Sequence, residues 1–529
     1  MFFWNICLNV AIGKVKIKNK KAKIIFSSAF CLFCFTFFSG CGGQNNAQKK
    51  VQQDKVATSL DTSLVFNDVT LDQADAQGRP VWKVKAKQAN YSSDKKTAVI
   101  NNPTGDLFQD GKLVMQVTAA SGEVQQDGQQ VFLKGQVTAT DPRNGAVLKG
   151  DELEWFPKKD LLIVRNNVRG SHPQLQTQAK EGRYFSRAQQ LELLGQIVAT
   201  TNDPALLEKT IGKTQEGGTP QASPSPSASP IPPGEVVTLQ MRTEHLVWQI
   251  PQKMAIADSR IQIDRYKGKA MTAQVVADKS EVNLETRTAV LKQNVDLTSL
   301  DPPIQIASNL VVWNLNTEIV VSDQPVKLVH RVQNVTVTGN RSQVDLQRKV
   351  AFVTGGVQGV VAKNQSKIYA NQLTWEMPNQ VAQAEGNAIY QQVQPPVQMF
   401  GNKVNWNYNN QMVISEQPVR IVDLKEQVTV TGDRAQLDVE KQIAVVNGNA
   451  QGSATRNQAK LFANQLRWNI ATQQVQADGN VNYRQVDPLL NLKGPAAFGK
   501  LQDQTVVVTG NTGDRVVTEI IPSPLPNNR

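Results

Sequence analysis

A sequence that returns to itself at a fixed interval folds into units that stack, and the C-terminal half of this chain returns every 93 residues. Trp313 and Trp375 recur as Trp406 and Trp468, Gln324-Pro325-Val326 as Gln417-Pro418-Val419, and Val335-Thr336-Val337-Thr338-Gly339 as Val428-Thr429-Val430-Thr431-Gly432. The register extends outward, with Pro302 mapping to Pro395 and Pro488, and Asn294 to Asn387 and Asn480. Inside each period lies a smaller unit of roughly 30 residues, the size of solenoid repeats. Its mark is Asn, Asp or Glu four places before a tryptophan, with Leu or Val two places before it. The copies are Asp151/Leu153/Trp155, Glu244/Leu246/Trp248, Asn309/Val311/Trp313, Asn371/Leu373/Trp375, Asn402/Val404/Trp406 and Asn464/Leu466/Trp468. Residues two apart on a strand share a face, so each aliphatic and its tryptophan line one side while Glu154, Asn405 or Arg467 faces the other. Such units cannot bury an apolar face alone; stacked, they build one continuous interior.

The motif occurs on both sides of a stretch dense in proline and serine, including Pro224-Ser225-Pro226 and Pro230-Ile231-Pro232-Pro233. No packed strand tolerates that density, so residues 206–235 read as a linker between a block at 62–205 and a repeat block at 236–521, with a tail at 522–529. The linker either separates two stacks or interrupts one. Short alternating runs such as Val81-Trp82-Lys83-Val84-Lys85-Ala86, divided by turn signals such as Asp141-Pro142-Arg143-Asn144-Gly145, make both blocks all-β.

The first residues are an address. Six lysines between Lys14 and Lys23 precede an apolar run, Ile24 to Phe38, and then Ser39-Gly40-Cys41. About 20 residues are needed to span a bilayer as a helix, and this run is shorter. Residues 1–41 read as a bacterial lipoprotein signal with Cys41 carrying the lipid anchor, against a competing reading as an uncleaved membrane anchor. Residues 42–61, polar and rich in Gln, Lys and Asn, read as a flexible tether. Without those six lysines the 57 basic residues fall to 51 against 45 acidic ones, a weak bias with no basic cluster interleaved with aromatics. Nucleic acid is therefore not the expected partner. All four cysteines lie at or before Cys41, so the folded blocks hold no disulfide. His172, His245 and His330 stand far apart without metal-ligand spacing, and no phosphate loop or nucleophile elbow occurs. No catalytic residue, metal or cofactor is expected.

Gln77-Gly78-Arg79-Pro80-Val81-Trp82-Lys83-Val84-Lys85-Ala86-Lys87-Gln88-Ala89-Asn90-Tyr91, followed by Ala98-Val99-Ile100-Asn101-Asn102-Pro103, resembles the opening of the LptC family of lipopolysaccharide export. The repeats resemble the related OstA/LptA-like fold. The resemblance implies a β-jelly roll, a slit-like stack of antiparallel strands that holds lipopolysaccharide acyl chains. It also implies a periplasmic protein anchored to the inner membrane. Its partners would be the periplasmic domains of an inner-membrane ABC transporter and other jelly-roll bridge proteins, met through edge strands near 64–69 and 505–509. The residues expected to line the lipid-binding groove are Trp82, Val84 and Tyr91 with the pairs Leu153/Trp155, Leu246/Trp248, Val311/Trp313, Leu373/Trp375, Val404/Trp406 and Leu466/Trp468. A competing reading packs them into a dry core, since aromatics two residues from an aliphatic are ordinary core patterning. The alternatives in function are a β-helical polysaccharide-active enzyme and a structural envelope scaffold.

Overall fold

The computed structural model describes residues 64–94, 96–125, 130–201, 237–455, 458–486, 489–500, 505–509 and 517–520. The expected anchor at Cys41, the tether, the linker 206–235 and the tail lie outside these residues. Asp61–Arg529 forms one compact unit. Among the described residues it is all-β, with 36 strands, a single 3-10 turn at Pro157–Lys159 and no α-helix. Alternation of Val, Ile, Leu and Trp with polar residues favours a pleated surface buried on one face, and the buried positions follow that alternation strand by strand.

Pairing is antiparallel throughout, from Leu64–Ala74 against Pro80–Tyr91 to Gln474–Gln485 against Leu490–Lys500, with short strands such as Met254–Ala257 and Ile261–Lys267 sharing the length of one long neighbour, Val237–Gln249. Antiparallel pairing throughout leaves no place for the parallel coil of a β-helix, and the fold is an open jelly roll. The linker does not divide the stack. Gln190–Thr201 pairs directly with Val237–Gln249, placing Leu191 opposite Trp248 and Ala199 opposite Met241. One hydrophobic cluster accordingly extends from Trp82 to Ala497.

Alternate long strands carry a two-residue bulge near the middle, and the bulge explains the polar residue that opens the tryptophan motif. Two successive residues there take left-handed backbone: Gly386-Asn387 at φ +77° and +52°, Gly448-Asn449 at +73° and +45°, Gly479-Asn480 at +78° and +52°. They form a bulge that turns the strand through a corner while the neighbouring strand supplies one residue opposite. That residue recurs every 31 positions as Asp278, Asn309, Asn340, Asn371, Asn402, Asp433 and Asn464. Several of these side chains accept a hydrogen bond from the bulge asparagine. Asp278 Oδ2 accepts from Asn294 at 2.6 Å, Asp433 Oδ2 from Asn449 at 2.9 Å and, in the N-terminal block, Asp151 Oδ2 from Asn167 at 2.6 Å. Glycine suits Gly386, where φ is +77° and a Cβ would lie 2.8 Å from Asn371 Nδ2, although the same bulge position is filled by Gln293 at φ +65° one 93-residue period earlier.

Because each strand folds back on itself, its successive turns fall into two rows. In the repeat block the first row comprises turns 284–287, 315–318, 346–349, 377–380, 408–411, 439–442 and 470–473, and the second row comprises turns 300–303, 331–334, 362–365, 392–396 and 424–427. The first row is laced along its length. Leu346 N donates to Glu318 O at 3.1 Å, Met377 N to Lys349 O at 3.1 Å and Ile470 N to Gln442 O at 2.8 Å.

Candidate functional site: the apolar interior and its two turn rows

Alternation places the expected groove residues on the inward face. Trp82, Val84, Leu153, Trp155, Leu246, Trp248, Val311, Trp313, Leu373, Trp375, Val404, Trp406, Leu466 and Trp468 are all buried in the single cluster, and Tyr91 lies partly buried against it. Over most of the stack these side chains pack on one another. Tyr390 meets Trp406 edge-on at 5.3 Å, His172 meets Trp248 at 4.9 Å, and His330 tilts against Trp375 at 6.0 Å. Burial lowers the pKa of both histidines, so each presents a neutral ring to its indole.

At its C-terminal end the interior opens into an apolar cleft with a cavity volume of about 80 Å³. Its walls include Val430, Leu461, Leu466, Trp468, Tyr483 and Ala497. Of the expected groove residues, Leu466 and Trp468 face this space. The others lie deeper in the packed part of the stack, apart from Trp248, which borders a smaller cavity with Met115, Leu148 and Tyr184.

The indoles carry a polar handle that the packing leaves unused. The Nε1 atoms of Trp82, Trp155, Trp248, Trp313 and Trp468 are buried with no hydrogen-bond acceptor among the described residues. An unpartnered buried donor costs about 1–3 kcal/mol. Trp375 differs, donating to Tyr408 Oη at 2.9 Å, which in turn donates to Gln333 Oε1 at 2.7 Å. Burial, offset in part by the Trp375 bond, pushes the Tyr408 phenol up to about 12, so it remains a donor at neutral pH.

Polar contacts across the two turn rows hold the interior shut, and no motif in the sequence marks them. In the repeat block Lys349 Nζ meets Asp301 Oδ1 at 2.6 Å, Gln333 Nε2 donates to Met377 O at 3.2 Å, and Gln473 Nε2 donates to Asp423 Oδ2 at 3.3 Å. In the N-terminal block Arg143 Nη2 donates to Ser186 O at 2.7 Å and Asn144 Nδ2 to Gln189 Oε1 at 2.9 Å. The Asp141 carboxylate beneath them, fully buried, accepts from Tyr184 Oη at 2.6 Å. A second set of residues was partly legible. Leu315, Met377 and Ile470, each two places after a motif tryptophan, are buried at the first row and seal the interior there.

Among the described residues no group of three His, Cys, Asp or Glu side chains could hold a metal, and no helix is long and apolar enough to cross a membrane. The two ends of the stack are free strand edges in the described residues. Leu64–Ala74 pairs on one side with Pro80–Tyr91, and Thr505–Thr509 pairs on one side with Leu490–Lys500. Both edges are apolar at the surface: Leu64, Val65 and Phe66 are exposed at the first and Val507 at the second.

Comparison with protein families places this architecture. The family model of lipopolysaccharide-assembly, LptC-related proteins matches residues 31–203 and 246–362, more than half of the chain. The chain belongs to that family. The second matched segment resumes within the strand that pairs across the linker, so the LptC-related region and the continuous ladder coincide there. Among solved structures the LptC-related chain is similar to LptH of Pseudomonas aeruginosa, described as the LptA homologous periplasmic component of the lipopolysaccharide transport device. That likeness has 13% identity, covers 36% of this chain and 98% of that one, and has a TM-score of 0.11. No curated protein matches the chain.

Proposed function

We propose that this LptC-related chain is a periplasmic carrier, not an enzyme, that takes lipopolysaccharide from the periplasmic domains of an inner-membrane ABC transporter. The acyl chains then travel along its interior toward the outer membrane. The observation that carries this reading is the unbroken apolar interior from Trp82 to Ala497, which crosses the linker without a gap and ends in an open cleft. Exposing each methylene to water costs about 0.8 kcal/mol, so a chain of about a dozen methylenes faces a barrier near 10 kcal/mol that a continuous apolar path removes. Unpartnered indole N–H groups at Trp82, Trp155, Trp248, Trp313 and Trp468 suit a ligand whose acyl chains carry ester or amide carbonyls.

The free, apolar strand edges at Leu64–Ala74 and Thr505–Thr509 serve as docking surfaces for further jelly-roll modules, by addition of a strand. A lipid anchor at Cys41 would hold the chain to the inner membrane. The test is mass spectrometry of lipid retained by purified Asp61–Arg529. Acylated lipopolysaccharide should be recovered, and its loss on narrowing the C-terminal cleft should follow. A preparation with no acyl lipid, even after incubation with lipopolysaccharide, would sink the carrier reading and leave the structural scaffold.

A further inference from the structure

The two turn rows are built by the same 31-residue repeat, yet their tips have opposite chemistry. At the first row the aliphatic that begins each turn folds inward: Leu315 is 4% exposed, Met377 2% and Ile470 3%. The tips beyond them are polar, as in Asn316-Thr317 and Asn409-Asn410. At the second row the aliphatics point outward. Leu300 is 49% exposed, Val332 74%, Val393 46%, Leu424 50% and Val486 57%. Leu300, Val393, Leu424 and Val486 occupy one repeat position, so they fall in line, and Val332 sits one place on from it. Strands lie about 4.8 Å apart and successive tips are two strands apart, which makes a row of roughly 60 Å with a station about every 10 Å. Folding requires none of this exposure, because the other row solves the same turn with its aliphatic tucked in. Exposed apolar side chains held in register mark an interaction surface.

The charge of the row selects its partner. Arg331, Lys363 and Lys425 are exposed at the same tips, beside Val332, Ala362 and Leu424. Among the described residues the acids at these tips are engaged, Asp301 with Lys349 at 2.6 Å and Glu426 with Lys425 itself at 3.4 Å, so the row's excess positive charge rests on Arg331 and Lys363. Aliphatics interleaved with cations along one line match an anionic lipid surface, into which short apolar side chains dip while lysine and arginine stay at the phosphates. We propose that the second turn row, from Leu300 to Val486, is a docking edge by which this chain lies against an anionic lipid surface. The proposal does not depend on what the interior carries.

The test is co-sedimentation of purified Asp61–Arg529, the compact unit, with vesicles of phosphatidylcholine alone or with about a third phosphatidylglycerol. The wild-type unit should sediment with anionic vesicles and release as salt rises. Val393→Asp with Leu424→Asp should lower binding by about tenfold or more, since two charged groups must then enter the interface. Lys363→Glu with Lys425→Glu should lower it on anionic vesicles alone. Asn316→Asp with Asn409→Asp, at the other row, should leave it unchanged. All these positions are solvent-facing, and a retained melting transition identifies folded variants. Failure of the wild-type unit to sediment, or equal binding by the second-row variants, overturns the proposal. So does a wild-type dimer in light scattering that the Val393/Leu424 variant dissociates, which would make the row a contact between copies.

Discussion

Filling the C-terminal cleft tests the carrier reading at its most accessible point. Gly452, in the strand Ile443–Ala454, forms part of the cleft wall. A Cβ built there meets Leu466 Cδ1 at 3.6 Å and Leu461 Cβ at 3.9 Å, both ordinary van der Waals distances, and the backbone is outside the left-handed region. Gly452→Leu therefore places a four-carbon side chain in the cleft without forcing the wall. It takes the room of about four methylenes of ligand, worth about 3 kcal/mol at roughly 0.8 kcal/mol each. At 1.4 kcal/mol per tenfold, affinity for a fluorescent fatty-acyl probe should fall by roughly 100-fold. The melting temperature should hold or rise, because the new side chain buries apolar surface that glycine lacks and a strand glycine is intrinsically unfavourable. The measurement is a probe titration followed by emission, with thermal melting alongside. Unchanged affinity at unchanged stability would show that acyl chains do not use this cleft.

Three further outcomes follow from the packing. Cysteines at Asp301 and Lys349, joined by a short bifunctional maleimide, should fix the two rows and slow probe uptake, while the unlinked double variant takes up probe at least as fast as wild type. Gly386→Val combines a φ of +77° with a Cβ 2.8 Å from Asn371 Nδ2 and should cost about 1–3 kcal/mol, read as a lower urea midpoint with an unchanged slope. His245 is half enclosed by carboxylates. Burial opposes its charge, but hydrogen bonds to Asp258 Oδ1 at 2.6 Å and Glu192 Oε1 at 3.0 Å raise its pKa overall. A raised folded pKa means the folded state binds the extra proton. The stabilisation is thus full below the unfolded value of about 6.5 and lost as pH climbs through the folded value. His245→Gln should accordingly lower the melting temperature most at pH 5 and least at pH 9.

Period-2 alternation was enough to assign the inward face, because a strand offers its side chains only two directions. That is why Leu373 and Trp375 are both buried and the intervening Thr374 is not. The repeat was legible too, though its true interval was blurred. At Asp323-Gln324-Pro325 and Glu416-Gln417-Pro418 the corner is made by a broken strand in place of a Gly-Asn bulge, so copies 31 residues apart look less alike than copies 93 apart. The asparagine four places before each tryptophan was visible as a pattern, but its role was not, since the left-handed pair it serves lies on the neighbouring strand. Closure of the interior was beyond reach for the same reason. Asn144 and Gln189, or Gln333 and Tyr408, meet only after the stack has bent and laid its two turn rows together. Nor does a turn such as Leu424-Lys425-Glu426-Gln427 declare in sequence that its aliphatic faces out, when Val439-Glu440-Lys441-Gln442 turns the equivalent residue in.

A shut interior and a carrier's task are reconciled by where the stack is held. The cross-row contacts are few and polar, each worth about 0.5–1.5 kcal/mol net, whereas burying a dozen methylenes returns about 10 kcal/mol. A ligand bound only by the parted form can therefore shift the stack toward it. Parting should begin where the interior is already open, at the C-terminal cleft. Asp423 and Gln473 cross the rows close to the cleft, which is walled by the strands Ala459–Asn469, Gln474–Gln485 and Leu490–Lys500. The strand Ser366–Glu376, by contrast, sits under the Trp375–Tyr408–Gln333 relay. Hydrogen exchange should then run faster across those three C-terminal strands than in Ser366–Glu376, and added acyl lipid should slow it there first. Uniform protection along the stack, unchanged by lipid, would mean that the interior does not open from this end.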